Sequence, residues 1–130
     1  MDPGAHPTLS PVIARATRDP DVLAVIVFDS RARGDASPRS DLDVCLVLGA
    51  DPTDDVELAR KRLEYLAEAD VDLVVFQQLP LAVRSRVLKE GSVVFVRDEP
   101  ALYALAARTA RAFEGFRHIH RQYLEQVARG

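Results

Sequence analysis

Three aspartates, one serine and a set of arginines carry the chemistry of this sequence. Asp41 and Asp43 lie two apart at the start of an apolar run, Leu42-Asp43-Val44-Cys45-Leu46-Val47-Leu48. If that run is a strand, alternation puts both carboxylates on one face. Carboxylates side by side repel each other unless a cation lies between them. A hard divalent ion such as Mg²⁺ is the natural occupant, because it prefers oxygen ligands. A third carboxylate, Asp72, interrupts the apolar run Val71-Asp72-Leu73-Val74-Val75-Phe76. An unpaired charge within such a strand is strongly destabilising. If this strand lies beside the one carrying Asp41 and Asp43, Asp72 can face that pair and share its metal. Asp70 has the same parity but sits nearer a helix end, and is read as solvated.

Ahead of the acidic pair come Ser30, Arg31, Arg33, Gly34 and Arg39. A strand that ends in a serine and turns into a short helix presents backbone N–H groups and a hydroxyl, a geometry that receives phosphate. The arginines add charge-assisted donors, with Arg31 and Arg33 the favoured phosphate contacts. Phosphate beside metal-binding carboxylates points to two-metal phosphoryl or nucleotidyl transfer.

The elements that must position these groups follow from pattern. Residues 1–9, with two prolines and a glycine, read as a loose arm. Ser10-Pro11 reads as an N-cap and first helical position, and that helix stops before Asp19-Pro20. Val22 to Phe28 is a continuous apolar run, the mark of a strand buried on both faces. Leu42–Leu48 and Val71–Phe76 are two more strands, and Val93–Val96 a short fourth. A helix is expected over Asp54–Ala69, with Val56, Ala59, Leu63, Leu66 and Ala67 near its buried face. Another is expected over residues 80–90, with Leu81, Val83, Val87 and Leu88 buried and Gly91 as its C′ residue. From Ala101 to about Val127 apolar residues recur every three or four positions, a long C-terminal helical segment that Gly115 could kink or divide. The order α-β-β-α-β-α-β-α implies an α/β (α+β) chain, a mixed four-stranded sheet with helices packed on it. Several connections are too short for parallel crossovers, so some strands must be antiparallel.

Composition narrows the class. With 130 residues, 48% of them hydrophobic and 28% charged, the chain suits one soluble domain over 1–130 with a single core. A net charge of −3 argues against bulk nucleic-acid binding. The lone cysteine, Cys45, excludes a disulfide framework, and within a strand it packs as a small apolar residue. No apolar run is long enough to cross a membrane and no leader is visible, so a cytoplasmic setting is expected. Residues 101–130 hold five arginines against two glutamates, a local +3, which suits docking on an acidic partner or plain solvation.

Ser30, ten intervening residues and Asp41-Leu42-Asp43 resemble the G-S-x10-D-x-D signature of the polymerase-β-like nucleotidyltransferases. Ser30 to Asp43 is most similar to the minimal nucleotidyltransferase (MNT) proteins, and the resemblance continues through Val71-Asp72-Leu73-Val74, Leu79-Pro80 and Lys89-Glu90-Gly91. It implies a polymerase-β-like nucleotidyltransferase fold. It implies an antitoxin whose partner is a HEPN-type ribonuclease toxin, and transfer of AMP from ATP onto a tyrosine hydroxyl of that toxin. Asp41, Asp43 and Asp72 would then be the catalytic residues and the Mg²⁺ ligands, and Ser30, Arg31 and Arg33 would contact the nucleotide. Asp29 stands where the signature has glycine, adding bulk and negative charge beside the phosphates. A weakened enzyme, a binding-only antitoxin and an engineered knock-down variant all fit that departure. Nucleotidyl transfer to a small molecule such as an aminoglycoside is the weaker alternative, since the chain has little room for added substrate-binding segments.

Overall fold

A computed structural model describes residues 9–28, 43–49, 54–67 and 71–129, those from 116 onward as backbone only. Four helices and four strands follow one another as α1 (Ser10–Arg18), β1 (Val22–Phe28), β2 (Asp43–Leu48), α2 (Asp55–Leu66), β3 (Asp72–Val75), α3 (Leu81–Glu90), β4 (Ser92–Val96) and α4 (Glu99–Arg129), with a 3₁₀ turn at Phe76–Gln78. The strands form one mixed sheet in the order β3-β2-β1-β4. β1 is antiparallel to β2 and β4, and β2 is parallel to β3. The parallel pair needs a crossover, and α2 supplies it.

β1 and β2 occupy the two central places. Of their residues only Phe28 escapes full burial, as expected for strands covered on both faces. Alternation sorts the side chains into two layers. Val25, Val27, Val44, Leu46, Leu73 and Val75 pack with Val12 and Ala16 of α1 and with Leu58 and Tyr65 of α2. Ala24, Ile26, Cys45 and Val47 face the other way, against Val87 of α3 and Leu102 of α4. Cys45 is fully buried, which pushes its thiol up to about 12, so it packs as an apolar group.

Local differences from the pattern have physical reasons. Ser10 is the first helical residue rather than the cap; Leu9 takes the cap position, with no side-chain cap bond. α2 buries Leu58 and Tyr65, a pair seven residues apart, while Val56 and Leu63 are 72% and 64% exposed. The face expected from Val56, Ala59 and Leu63 is thus turned outward. The tyrosine decides this: its ring fills the layer beneath α2, and its hydroxyl donates to Asp19 Oδ2 at 2.9 Å. On α3, Val87 is buried as expected, but Ser85 is the second buried residue and Leu81, Val83 and Leu88 are half-buried. Gly115 does not divide α4, which runs unbroken from Glu99 to Arg129.

Gly91 ends α3 for a reason other than a left-handed C′ residue. Its φ and ψ are −77° and 164°, extended backbone open to any residue. What requires glycine is proximity: a Cβ here would lie 2.4 Å from Ile26 Cγ2 and 2.6 Å from the Val87 carbonyl oxygen. Arg97, just past β4, closes the far end of the molecule. Its guanidinium donates to the carbonyls of Ala16, Thr17, Asp19 and Val22 at 2.6, 3.1, 3.1 and 3.0 Å, so the end of β4 is tied to the corner between α1 and β1 from across the chain.

Asp19 also ties α2 to the α1–β1 corner. Lys61 Nζ donates to Asp19 Oδ2 at 2.9 Å and to Asp21 Oδ2 at 3.0 Å. Burial pushes the Asp19 carboxyl up, but the hydrogen bonds from Lys61, Tyr65 and the Asp21 amide outweigh it and hold the group below its ordinary value. Burial likewise pulls Lys61 down, and its bonds to the two aspartates more than restore it, leaving the ammonium above its ordinary value.

Two stability predictions follow from these contacts. Gly91→Ala should lose about 1–3 kcal/mol in denaturant unfolding, because backbone and a packed isoleucine must move. The contribution of Asp19 is complete above its ordinary value of 3.8 and is lost as pH falls through its depressed value. That of Lys61 is complete below its ordinary value of 10.5 and is lost at more alkaline pH, through its raised value. Lys61→Met should therefore lower the melting temperature at neutral pH and shrink the drop seen on acidification below about pH 4, both read by thermal circular dichroism.

Candidate active site

β2 and β3 pair in parallel with Asp43 opposite Asp72, Val44 opposite Leu73 and Cys45 opposite Val74. Residues in register share a face of the sheet. Asp43 has the parity of Cys45 and Val47, and Asp72 that of Val74, so both carboxylates lie on the face that α3 and α4 cover. Phe28 is opposite Asp43 on the other neighbouring strand. An aromatic and two carboxylates thus form a row across one end of the sheet. That end gathers the last residue of β1 and the first residues of β2 and β3.

The two carboxylates sit in unequal surroundings. Asp43 is 8% exposed, whereas Asp72 is exposed and forms no salt bridge with a described residue. Hydrogen-bonded strands run about 4.8 Å apart. Two unit charges 4 Å apart repel by about 1 kcal/mol in water and about 4 kcal/mol at an effective dielectric near 20. Asp43 and Asp72 together offer oxygen ligands of the kind that a divalent cation takes. Among the described residues no group of three or more His, Cys, Asp or Glu side chains converges as a metal site.

Asp41, Ser30, Arg31 and Arg33 lie outside the described residues, as do Asp29, Arg39 and Asp70. The structure therefore brings together Asp43 and Asp72 of the expected set. It also adds Arg62, which nothing in the pattern singled out. From α2, Arg62 Nε donates to the Leu73 carbonyl at 2.8 Å, one residue from Asp72 on an edge strand. A surface arginine on a helix carries no sign in the sequence of which strand edge it will cap.

The profile of the family described as "Polymerase beta, Nucleotidyltransferase" matches residues 11–100, from α1 to the start of α4. The chain belongs to the polymerase-β nucleotidyltransferase family. Its mixed sheet, with helices on both faces and the acidic pair at one end, is this nucleotidyltransferase's version of that fold. Over 74 residues it is 30% identical to a Methanocaldococcus jannaschii protein provisionally named a protein adenylyltransferase. That match covers 57% of this chain and spans about half, 56%, of the relative's length. In fold the nucleotidyltransferase is similar to a toxin–antitoxin crystal structure with AMP-PNP (22% identity, TM-score 0.59, 88% of this chain and 94% of that one). It is also similar to a complex of tri-AMPylated Shewanella oneidensis HEPN toxin with MNT antitoxin (16% identity, TM-score 0.60, 89% and 92%). No described helix is long and apolar enough to cross a membrane.

Like charges in register cost stability in the absence of a cation, on the order of 0.5 kcal/mol for facing strand positions. Asp72→Asn should therefore raise the melting temperature slightly in chelator-treated buffer. It should also reduce the stabilisation that millimolar MgCl₂ gives the wild-type protein. Differential scanning calorimetry with and without MgCl₂ reads both effects.

Proposed function

We propose that this nucleotidyltransferase is the antitoxin of a HEPN/MNT pair and transfers AMP from ATP to a tyrosine hydroxyl of a HEPN-type ribonuclease toxin. The observation that carries the reading is the register of Asp43 with Asp72, which sets two carboxylates side by side at the sheet end next to the signature segment. Similarity to a protein adenylyltransferase, and in fold to toxin–antitoxin complexes of which one holds an AMPylated toxin, supports it.

Ser30, Arg31 and Arg33 would hold the triphosphate. Asp41, Asp43 and Asp72 would hold Mg²⁺, which when bound neutralises charge on the attacking and leaving oxygens. The tyrosine oxygen forms a bond to the α-phosphorus, the bond from that phosphorus to the bridging oxygen breaks, and pyrophosphate leaves with the bridging oxygen. Asp72, the more exposed carboxylate, would take the hydroxyl proton as the bond forms. The protein's contribution is alignment and electrostatics.

A second reading rests on Asp29, which puts a negative charge where the signature has glycine. In that reading the nucleotide pocket no longer turns over, and neutralisation is by stoichiometric binding of the toxin.

Incubating the chain with its genomic-neighbour toxin and α-labelled ATP tests both. Label should move to the toxin with the wild-type chain, and Asp72→Ala should slow transfer by about 100-fold or more. Asp29→Gly should raise the rate. In cells, the Asp41→Ala/Asp43→Ala double variant should fail to neutralise the toxin. Full neutralisation by that variant, without label transfer by the wild type, establishes the binding-only reading instead.

A further inference from the structure

Different groups hold the two ends of β3. Past its far end, in the 3₁₀ turn, the Gln77 side chain clamps β2. Its Oε1 accepts from the Leu48 N–H at 3.2 Å, and its Nε2 donates to the Leu48 carbonyl at 2.9 Å. Arg84 secures that turn by donating to the Gln77 and Leu79 carbonyls, both at 2.8 Å. At the near end, where Asp72 begins the strand, the brace is Arg62.

Arg62 stands four residues after Leu58 and three before Tyr65 on α2. Those two residues are the buried ones of the helix, and this spacing puts the arginine on the same face. An arginine in that line lays its stem along the layer and carries its head past it. The head reaches the open edge of the sheet, where β3 is the outermost strand.

Backbone groups of successive residues in a strand point alternately to its two edges. The Leu73 carbonyl points outward, to Arg62 Nε at 2.8 Å, so the backbone groups of Asp72 and Val74 point inward, to β2. Arg62 thus supplies at this carbonyl what a fifth strand would supply, and the bond is charge-assisted. Water can satisfy an edge carbonyl too, so the bond adds little to global stability. What it adds is a fixed position for the strand. Leu73 packs into the α2 layer, whereas Asp72 faces the opposite one. The route from Arg62 to the carboxylate therefore runs through the backbone.

We propose that Arg62 is a positioning residue for Asp72. By bracing the outer edge of β3 it sets where that carboxylate stands relative to Asp43, and so how tightly the pair takes Mg²⁺ and how well it meets an acceptor hydroxyl. This rests on the reading of Asp43 and Asp72 as a metal-binding pair. A misplacement of about 1 Å at such a site can cost about 100-fold in rate.

Arg62→Met keeps the stem and removes the donor, and Arg62→Lys puts a donor back within reach of the same carbonyl. Hydrogen–deuterium exchange of the intact chain without metal reads the brace itself. Exchange over residues 71–76 should quicken by about fivefold in Arg62→Met, the worth of one hydrogen bond. Exchange over 22–28 should stay as in the wild type, and Arg62→Lys should restore most of the protection. Thermal melts against MgCl₂ read the consequence for the site. The concentration that gives half the stabilisation should rise by about threefold or more in Arg62→Met. The same substitution made in an Asp72→Asn chain should change the MgCl₂ response no further. In the label-transfer assay, Arg62→Met should lower kcat by about tenfold and leave the KM for ATP within about twofold.

Unchanged exchange over 71–76 overturns the inference, as does equal quickening over 71–76 and 22–28. So does an equal loss of MgCl₂ response with and without the Asp72 carboxylate. Wild-type melts that ignore MgCl₂ overturn the metal reading, and the positioning role with it. A wild-type chain that responds to MgCl₂ but transfers no label overturns the transferase reading alone and leaves the positioning role in force.

Discussion

The carboxylates of Asp43 and Asp72 are set side by side against their own repulsion, and the pairing of β2 with β3 is what holds them there. Every later step of that pairing seats an apolar pair: Val44 beside Leu73, Cys45 beside Val74, and Leu46 beside Val75. A slip of one residue would turn Leu73 and Val75 out of their layer and carry Asp72 to the opposite face. The buried rows therefore protect the register, and the register protects the acidic pair. Stability gained from the hydrophobic layers offsets the electrostatic cost at the sheet end.

The sheet was legible because its strands are nearly pure apolar runs. β1 matched its expected span, β2 agrees over Asp43–Leu48, its expected first residue lying outside the described ones, and β3 and β4 differ from theirs by one residue at an end. The placement of Asp72 opposite Asp43 was legible as a condition: a charge in an apolar strand asks for company, and the neighbouring strand is where it can be found. The sequence alone could not show that β3 would take that neighbouring place, because strand order depends on where α2 carries the chain.

The rest was hidden because it depends on contacts between distant residues. Apolar spacing on α2 pointed to Val56 and Leu63, yet one tyrosine able to fill the layer and reach Asp19 outweighs both. Gly91 looked like a helix terminator with a special dihedral, whereas its real constraint is a methyl group of Ile26. Arg97 reads as one more surface arginine, yet it serves carbonyls roughly 80 positions earlier in the chain. Pattern reveals periodicity within an element, and it is silent on which partner an element meets.

α4 begins at Glu99, where the family match, ending at residue 100, gives out. Its 31 residues make a rod of about 46 Å, twice the height of a sheet whose longest strand has seven residues, about 23 Å. A rod of that length overhangs the slab to which it is bolted. The overhang can change its surface without disturbing the sheet, since well-separated substitutions act independently.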